Sequence, residues 1–228
     1  IEAGLVIAQR WAERRRRILL IVPAMLRKQW AQELAEKFEL DARVLDAKVW
    51  EGLREGEIAP FAQDAINIVS YDFAHSRRAD IAATDWQLVV LDEAHKLRNV
   101  WRDDRKRLRT IADSIESRPK VLLTATPLQN SLRELYGLAS VVDPHLFGGG
   151  VDAFDAQYGA GSDAEQLEDL RQRLKPVCRR VLRRQVMAAG GIRFTNRYSM
   201  TVDFAPTADE QALYESVTGF LRQPHLEA

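Results

Sequence analysis

The chain has 228 residues, 46% of them apolar and 29% charged, with a formal net charge of zero. That is ample material for a buried core, and no whole-chain field draws it to nucleic acid or to a membrane surface. A single cysteine, Cys178, excludes an internal disulfide framework and a multi-cysteine zinc site. No apolar run approaches the length of a membrane span and no signal peptide precedes the first element, so a cytoplasmic setting without membrane contact is expected.

The first stretch, IEAGLVIAQRWAERR, reads as helix with no N-cap before it, so the chain is expected to be a piece of something longer. Ile18–Val22 (ILLIV) reads as a buried strand ended by Pro23, and MLRKQWAQELAEKF as an amphipathic helix. Val44–Leu45 is a weaker strand before a helix around Val49–Arg54. Ile66–Ser70 (INIVS) is a strand, followed by helix from Asp72 to Ala83. Gln87–Leu91 (QLVVL) is a strand, and RDDRKRLRTIADSIESR reads as one long charged helix. Lys120–Leu123 (KVLL) is a strand, with the helix SLRELYGLASVV behind it.

Continuously apolar strands alternating with helices predict an α/β fold, a mainly parallel sheet covered by helices on both faces. Beyond Pro144 the pattern changes. Glycine-containing turns precede a predicted long helix from Asp163 to about Gln185, which carries Cys178 as a packing residue. Tyr198–Phe204 reads as a strand and Ala208–Leu221 as a helix. The expected organisation is an α/β lobe over residues 1–145, a mainly helical region over 146–197 and a strand and helix over 198–228.

In parallel sheets the working residues lie just past the carboxyl ends of strands. That rule selects Pro23 onward, Asp92–His95 and Thr124–Asn130. Asp92, delivered by QLVVL, is suited to hold Mg²⁺, which takes one or two carboxylates plus phosphate oxygens. Its neighbour Glu93 can deprotonate a water attacking a γ-phosphate. A plain alternative is that both acids cap and complement the following helix, AHKLR. The next strand then ends in TATPLQN, where Thr124 and Thr126 place hydroxyls within reach of His95.

VVLDEAHKLRN followed by LLTATPLQNSLRELYGLASVVDP resembles the first motor lobe of the Snf2 family, in helicase superfamily 2. LLIVPAMLRKQWAQEL resembles that family's motif Ia, INIVSYDF the segment before its acidic motif, and RRVLRR the end of its helical protrusion. YSMTVDFAPTADEQALYESV resembles the strand and helix leading to a second lobe. The RapA-like and phage-defence bacterial branches are nearest in pattern. The resemblance implies a RecA-like P-loop NTPase fold and an ATP- and Mg²⁺-dependent translocase on double-stranded DNA, with other protein subunits as further partners. By the same resemblance, Asp92 and Glu93 are the metal and catalytic carboxylates, and His95 couples to Thr124, Ala125, Thr126 and Gln129. Pro23, Lys28, Gln29, Trp30, Tyr71 and Asp72 are implied to face DNA.

The family's glycine-rich phosphate loop, ending in Lys-Thr, has no counterpart in these residues, and Ile1 would follow directly after it. Two expectations follow from the resemblance. The 228-residue chain alone neither binds ATP tightly nor hydrolyses it. It is also poorly soluble, because a strand adjoining QLVVL would be missing and two edges would face a gap. The remaining alternatives are a superfamily 2 RNA helicase, a restriction-system motor subunit, and a pseudo-motor that binds DNA or a partner without chemistry.

Overall fold

The computed structural model describes residues 1–55, 59–159, 161–181, 185 and 198–221. They form two compact units, Ile1–Arg179 and Arg180–Ala228.

The first unit is built on a five-stranded, wholly parallel sheet of order β2-β3-β1-β4-β5. The strands are β1 (Arg17–Val22), β2 (Ala42–Val44), β3 (Ala65–Ser70), β4 (Leu88–Leu91) and β5 (Lys120–Leu122). Side chains alternate between faces along each strand, and the sequence obeys this strictly. Leu19, Ile21, Val69, Val89 and Leu91 enter one core cluster, while Ile18, Leu20, Val22, Ile66, Ile68, Leu88 and Val90 enter the other. Both faces must therefore be covered, which is why these strands read as continuous apolar runs rather than as an alternating pattern.

Helices α1 (Glu2–Ala12) and α2 (Arg27–Phe38) cover one face through Ala3, Ile7 and Leu34. The other face is covered by α3 (Ala47–Glu55), α4 (Tyr71–Ser76), α5 (Arg78–Ala83), α6 (Lys106–Ser114) and α7 (Leu132–Val142). They contribute Trp50, Ala74, Ile81, Ile111, Leu138 and Val141. Fully burying one such aliphatic side chain stabilises the fold by about 1.5–3 kcal/mol, so the two clusters supply its main driving force.

Beyond α7, helices α8 (Val151–Tyr158) and α9 (Ala164–Leu174) pack with it around Tyr136, Phe147, Phe154, Tyr158 and Leu170. This region, begun in the sequence reading at 144–150, lies inside the first compact unit. Asp163 and Gln166 form a reciprocal capping box that starts α9. In the second unit, residues 198–207 form no regular element and α10 (Ala208–Leu221) is exposed. Thr207 and Glu210 exchange hydrogen bonds at its start.

Four expectations are corrected. The helix expected over Arg102–Arg118 is a 3₁₀ turn, Asp103–Arg105, followed by the shorter α6. The helix from Asp163 stops at Leu174, because Pro176 has no N–H to donate and its ring crowds the preceding turn. Cys178 is consequently exposed rather than packed, and the rest of that expected helix falls largely on residues outside the described ones. Tyr198–Phe204 is not a strand, and its apolar residues stand exposed.

The fourth concerns the expected gap. The QLVVL strand, β4, is paired on both sides, to β1 and to β5, so no break adjoins it. Among the described residues, the open edge on that side of the sheet belongs to β5.

Candidate active site at the carboxyl edge of the sheet

The chain leaves β1 toward β2 and β3 on one side and returns to β4 and β5 on the other, so the order reverses between β1 and β4. The carboxyl ends at such a reversal diverge and leave a crevice for ligand. Asp92 stands at that point, its backbone N–H bonded to Ile21 O at 3.0 Å.

Two other segments and the next residue converge on Asp92. From the loop and helix after β1, Trp30 donates its indole N–H to Asp92 Oδ2 at 2.8 Å. From the segment after β3, Tyr71 donates its phenol to Asp92 O at 2.9 Å. The following residue, Glu93, donates its backbone N–H to Asp92 Oδ1 at 2.8 Å. Each carboxylate oxygen still has a lone pair available. The carboxylate is thus fixed in direction while remaining able to accept a further ligand. It borders a cleft of about 160 Å³ with Ile1, Gly4, Gln29, Trp30 and Glu33.

Tyr71 is buried, and burial with the charges of Asp92 and Glu93 nearby pushes its phenol well above the ordinary value. It therefore stays a neutral donor. Lys96 Nζ lies 5.1 Å from the centre of the Tyr71 ring.

Glu93 sits in the left-handed region, φ 51 and ψ 44. For a side chain other than glycine this costs roughly 1–2 kcal/mol. The turn redirects the chain after one residue, so the two carboxylates are presented differently. Glu93 precedes the 3₁₀ turn Ala94–Leu97 but its side chain caps nothing. Glu93 therefore does not act as a side-chain cap of that turn. Glu93 Oε2 instead lies 3.0 Å from His95 Nδ1. The approach lacks hydrogen-bonding alignment, and that nitrogen, buried as an atom, makes no hydrogen bond among the described residues.

The TATPLQN segment is beside this turn, as β5 neighbours β4. Leu123 N bonds Leu91 O and Ala94 N bonds Leu123 O, both at 2.8 Å. Thr124 Oγ1 accepts from Thr126 N at 3.1 Å, and Ala125, Thr126 and Gln129 are exposed. The expected hydrogen bond between His95 and a threonine is not made among the described residues. The two loops are joined by backbone, and by one side chain that the sequence reading passed over.

That side chain is Glu134. It is 4% exposed, and its Oε2 accepts from Gln129 N at 2.7 Å and Asn130 N at 3.1 Å. Its Oε1 accepts from Asn130 Nδ2 at 3.1 Å and lies 3.8 Å from Arg98 Nε. The spacing Ser131-x-x-Glu134 is a capping-box signature that could have marked it, although Ser131 itself makes no side-chain cap. Burial pushes the Glu134 carboxyl upward, but the amides of Gln129 and Asn130, the Asn130 side chain and Arg98 outweigh it and hold it below its usual value.

A depressed folded-state value means this stabilisation is complete above the unfolded value, about 4.3, and is lost as pH falls through the folded one. The difference in melting temperature between wild type and Glu134→Gln should hold steady from about pH 8 to about pH 5 and shrink below about pH 4. Thermal circular dichroism across that range measures it, and a gap unchanged at the acid end would contradict the assignment.

The residues expected to face DNA are placed unequally. Pro23 is half-buried, while Lys28 and Gln29 are exposed on the first turn of α2. Trp30 is turned onto Asp92, and Tyr71 is buried. Asp72 is exposed and paired with Arg107. Among the described residues no group of three or more His, Cys, Asp or Glu side chains could hold a metal. A donor set of two carboxylates fits Mg²⁺ carried by phosphate oxygens and water, which needs no protein cage. No described helix is long and apolar enough to cross a membrane.

The chain is 30% identical over 223 residues to YqhH of Bacillus subtilis (strain 168), described as an uncharacterized ATP-dependent helicase, covering 96% of this chain and 36% of that protein. It is 33% identical over 154 residues to the RNA polymerase-associated protein RapA of Erwinia tasmaniensis, covering 64% of this chain and 16% of RapA. It therefore spans little more than a third of the one relative and about a sixth of the other. Among solved structures, the Sulfolobus solfataricus SWI2/SNF2 ATPase core in complex with double-stranded DNA superposes with a TM-score of 0.59 at 20% identity, over 75% of this chain and 35% of that one. The Sulfolobus solfataricus SWI2/SNF2 ATPase core domain superposes with a TM-score of 0.56 at 19% identity, over 75% of this chain and 34% of that one. The SNF2-related domain model matches residues 5–227, and with the parallel sheet and its acidic carboxyl edge this makes the chain a member of the SNF2-related domain family.

Proposed function

We propose that this chain is part of an ATP-driven motor that moves along double-stranded DNA. The observation carrying the reading is the convergence on Asp92 of two remote segments and the Glu93 amide at the sheet's order reversal, with Glu93 itself in a left-handed backbone conformation. The DNA-bound SWI2/SNF2 core with the same fold adds support for duplex DNA as the track.

In this reading Asp92 holds Mg²⁺, its direction set by Trp30 and by the Glu93 amide. When bound, the ion supplies neutralisation of charge developing on the phosphates. Glu93 orients the attacking water and accepts its proton, and His95, 3.0 Å away, senses the charge on Glu93. The exposed hydroxyl and amide groups of Thr126 and Gln129 and the exposed Lys28 and Gln29 are suited to track phosphates without reading bases.

The test measures ATP hydrolysis by the natural polypeptide carrying this sequence, alone and with duplex DNA, single-stranded DNA or RNA. Greatest stimulation by the duplex is expected, and its salt dependence should be steep. Dominant stimulation by RNA would replace this reading with an RNA helicase. Absence of hydrolysis under every condition would leave a binding module without chemistry.

A further inference from the structure

We infer that Glu134 is a positioning residue that locks the TATPLQN loop to the exit of the acidic turn, so that DNA engagement and ATP hydrolysis move together. This rests on the motor reading above.

Glu134 is a buried carboxylate at the start of α7, and all its described partners lie at the two loops rather than in a core. Two are the amides of Gln129 and Asn130, one is the Asn130 side chain, and one is Arg98, directly after the turn that carries His95. A buried charge is retained at a desolvation cost, so full satisfaction by two separate loops specifies their relative position.

A second contact makes the connection stiff. A Cβ added to Gly137, one turn along α7, would lie 2.0 Å from Arg98 O. The α7 backbone therefore rests directly on the same residue that Glu134 pairs. Arg98 cannot shift without displacing α7 or releasing Glu134, and with it the amides of Gln129 and Asn130. The exposed end of the loop, at Thr126 and Gln129, is left free to meet a ligand. A displacement begun at Glu93 and His95 is transmitted by contact, through Arg98 and Glu134, to that surface.

The experiment compares wild type with Glu134→Gln, Glu134→Asp, Arg98→Ala and the double variant Arg98→Ala/Glu134→Gln in the natural polypeptide. Readouts are ATPase with and without duplex DNA, KM for ATP, and amide hydrogen exchange at Gln129 and Asn130. Glu134→Gln should lower DNA-stimulated turnover about tenfold, with the DNA-free rate and KM changed by no more than about threefold. Glu134→Asp, which keeps the charge, should recover part of the stimulation. The double variant should be no worse than the weaker single one, because the pair acts as a unit.

Equal proportional loss of DNA-free and DNA-stimulated rates would reduce Glu134 to a stability residue and overturn the inference. So would independent, multiplying effects of the two single variants. Should the wild type show no DNA-stimulated hydrolysis, the motor reading fails by itself. Exchange then decides the link: Arg98→Ala must speed exchange at Gln129 and Asn130, and unchanged protection there refutes it.

Discussion

Glu93→Gln is expected to slow ATP hydrolysis by the natural polypeptide about 10²- to 10⁴-fold, the usual contribution of a positioned general base. The substitution keeps side-chain shape while removing the negative charge and the ability to take a proton. Glu93 caps no helix and its carboxylate is partly exposed, so little of the fold depends on its charge. Stability should therefore change by no more than about 0.5 kcal/mol, the range of ordinary surface substitutions. ATP binding, read by a fluorescent nucleotide analogue, should persist while turnover disappears. A rate within about tenfold of wild type would remove Glu93 from the catalytic role. Asp92 is less clean a target, because both its oxygens accept N–H groups and an amide nitrogen there would face a donor.

Gly137→Ala carries the second large effect, and its sign is the informative part. In an unobstructed helix, alanine is better than glycine by about 1 kcal/mol, so a stabilised variant would be expected. Here the new Cβ would stand 2.0 Å from Arg98 O and 2.7 Å from Arg98 C, both backbone atoms that cannot rotate aside. Overpacking of this kind costs about 3 kcal/mol or more when the neighbour cannot yield. Net destabilisation of about 2 kcal/mol should result, seen as a melting temperature lower by about 4–8 °C. Because Arg98 follows the acidic turn, ATPase should fall as well. A variant that melts higher than wild type would show that α7 does not rest on Arg98.

The parts legible in the sequence are those governed by local pattern. ILLIV, INIVS and QLVVL were readable as strands because both faces of a parallel sheet are buried, leaving no polar alternation. KVLL was recognisable from its setting even though its residues are only half-buried. The acidic step and the TATPLQN segment could be placed as neighbours at one edge because each follows a strand directly, and the motif order carried the family resemblance.

Elsewhere local pattern misled. Tyr198–Phe204 has strand-like residues, but a strand exists only with a partner to complete its hydrogen bonds, and among the described residues it has none. The charged stretch Arg102–Arg118 has helical composition, yet its first residues are committed to other bonds. Arg102 pairs with Asp104 and its backbone is extended, φ −79 and ψ 144, so the α-helix begins only at Lys106. Pro176 is the stop signal for this helix, and it overrides the apolar periodicity that continues across it.

Local pattern is enough for the class of fold, the five strands of the sheet and the family, and it singles out the two carboxylates. How those carboxylates are held is set by contacts between elements remote in the chain. Strand order brings Trp30 and Tyr71, from segments far away in the chain, onto Asp92. It likewise sets α7 against Arg98, which turns a glycine and a buried glutamate into a joint between two loops. Periodicity records which face of an element is buried, because burial acts on each residue separately. It carries no record of which element lies opposite, since that is settled by crossovers and close approaches between residues remote in sequence.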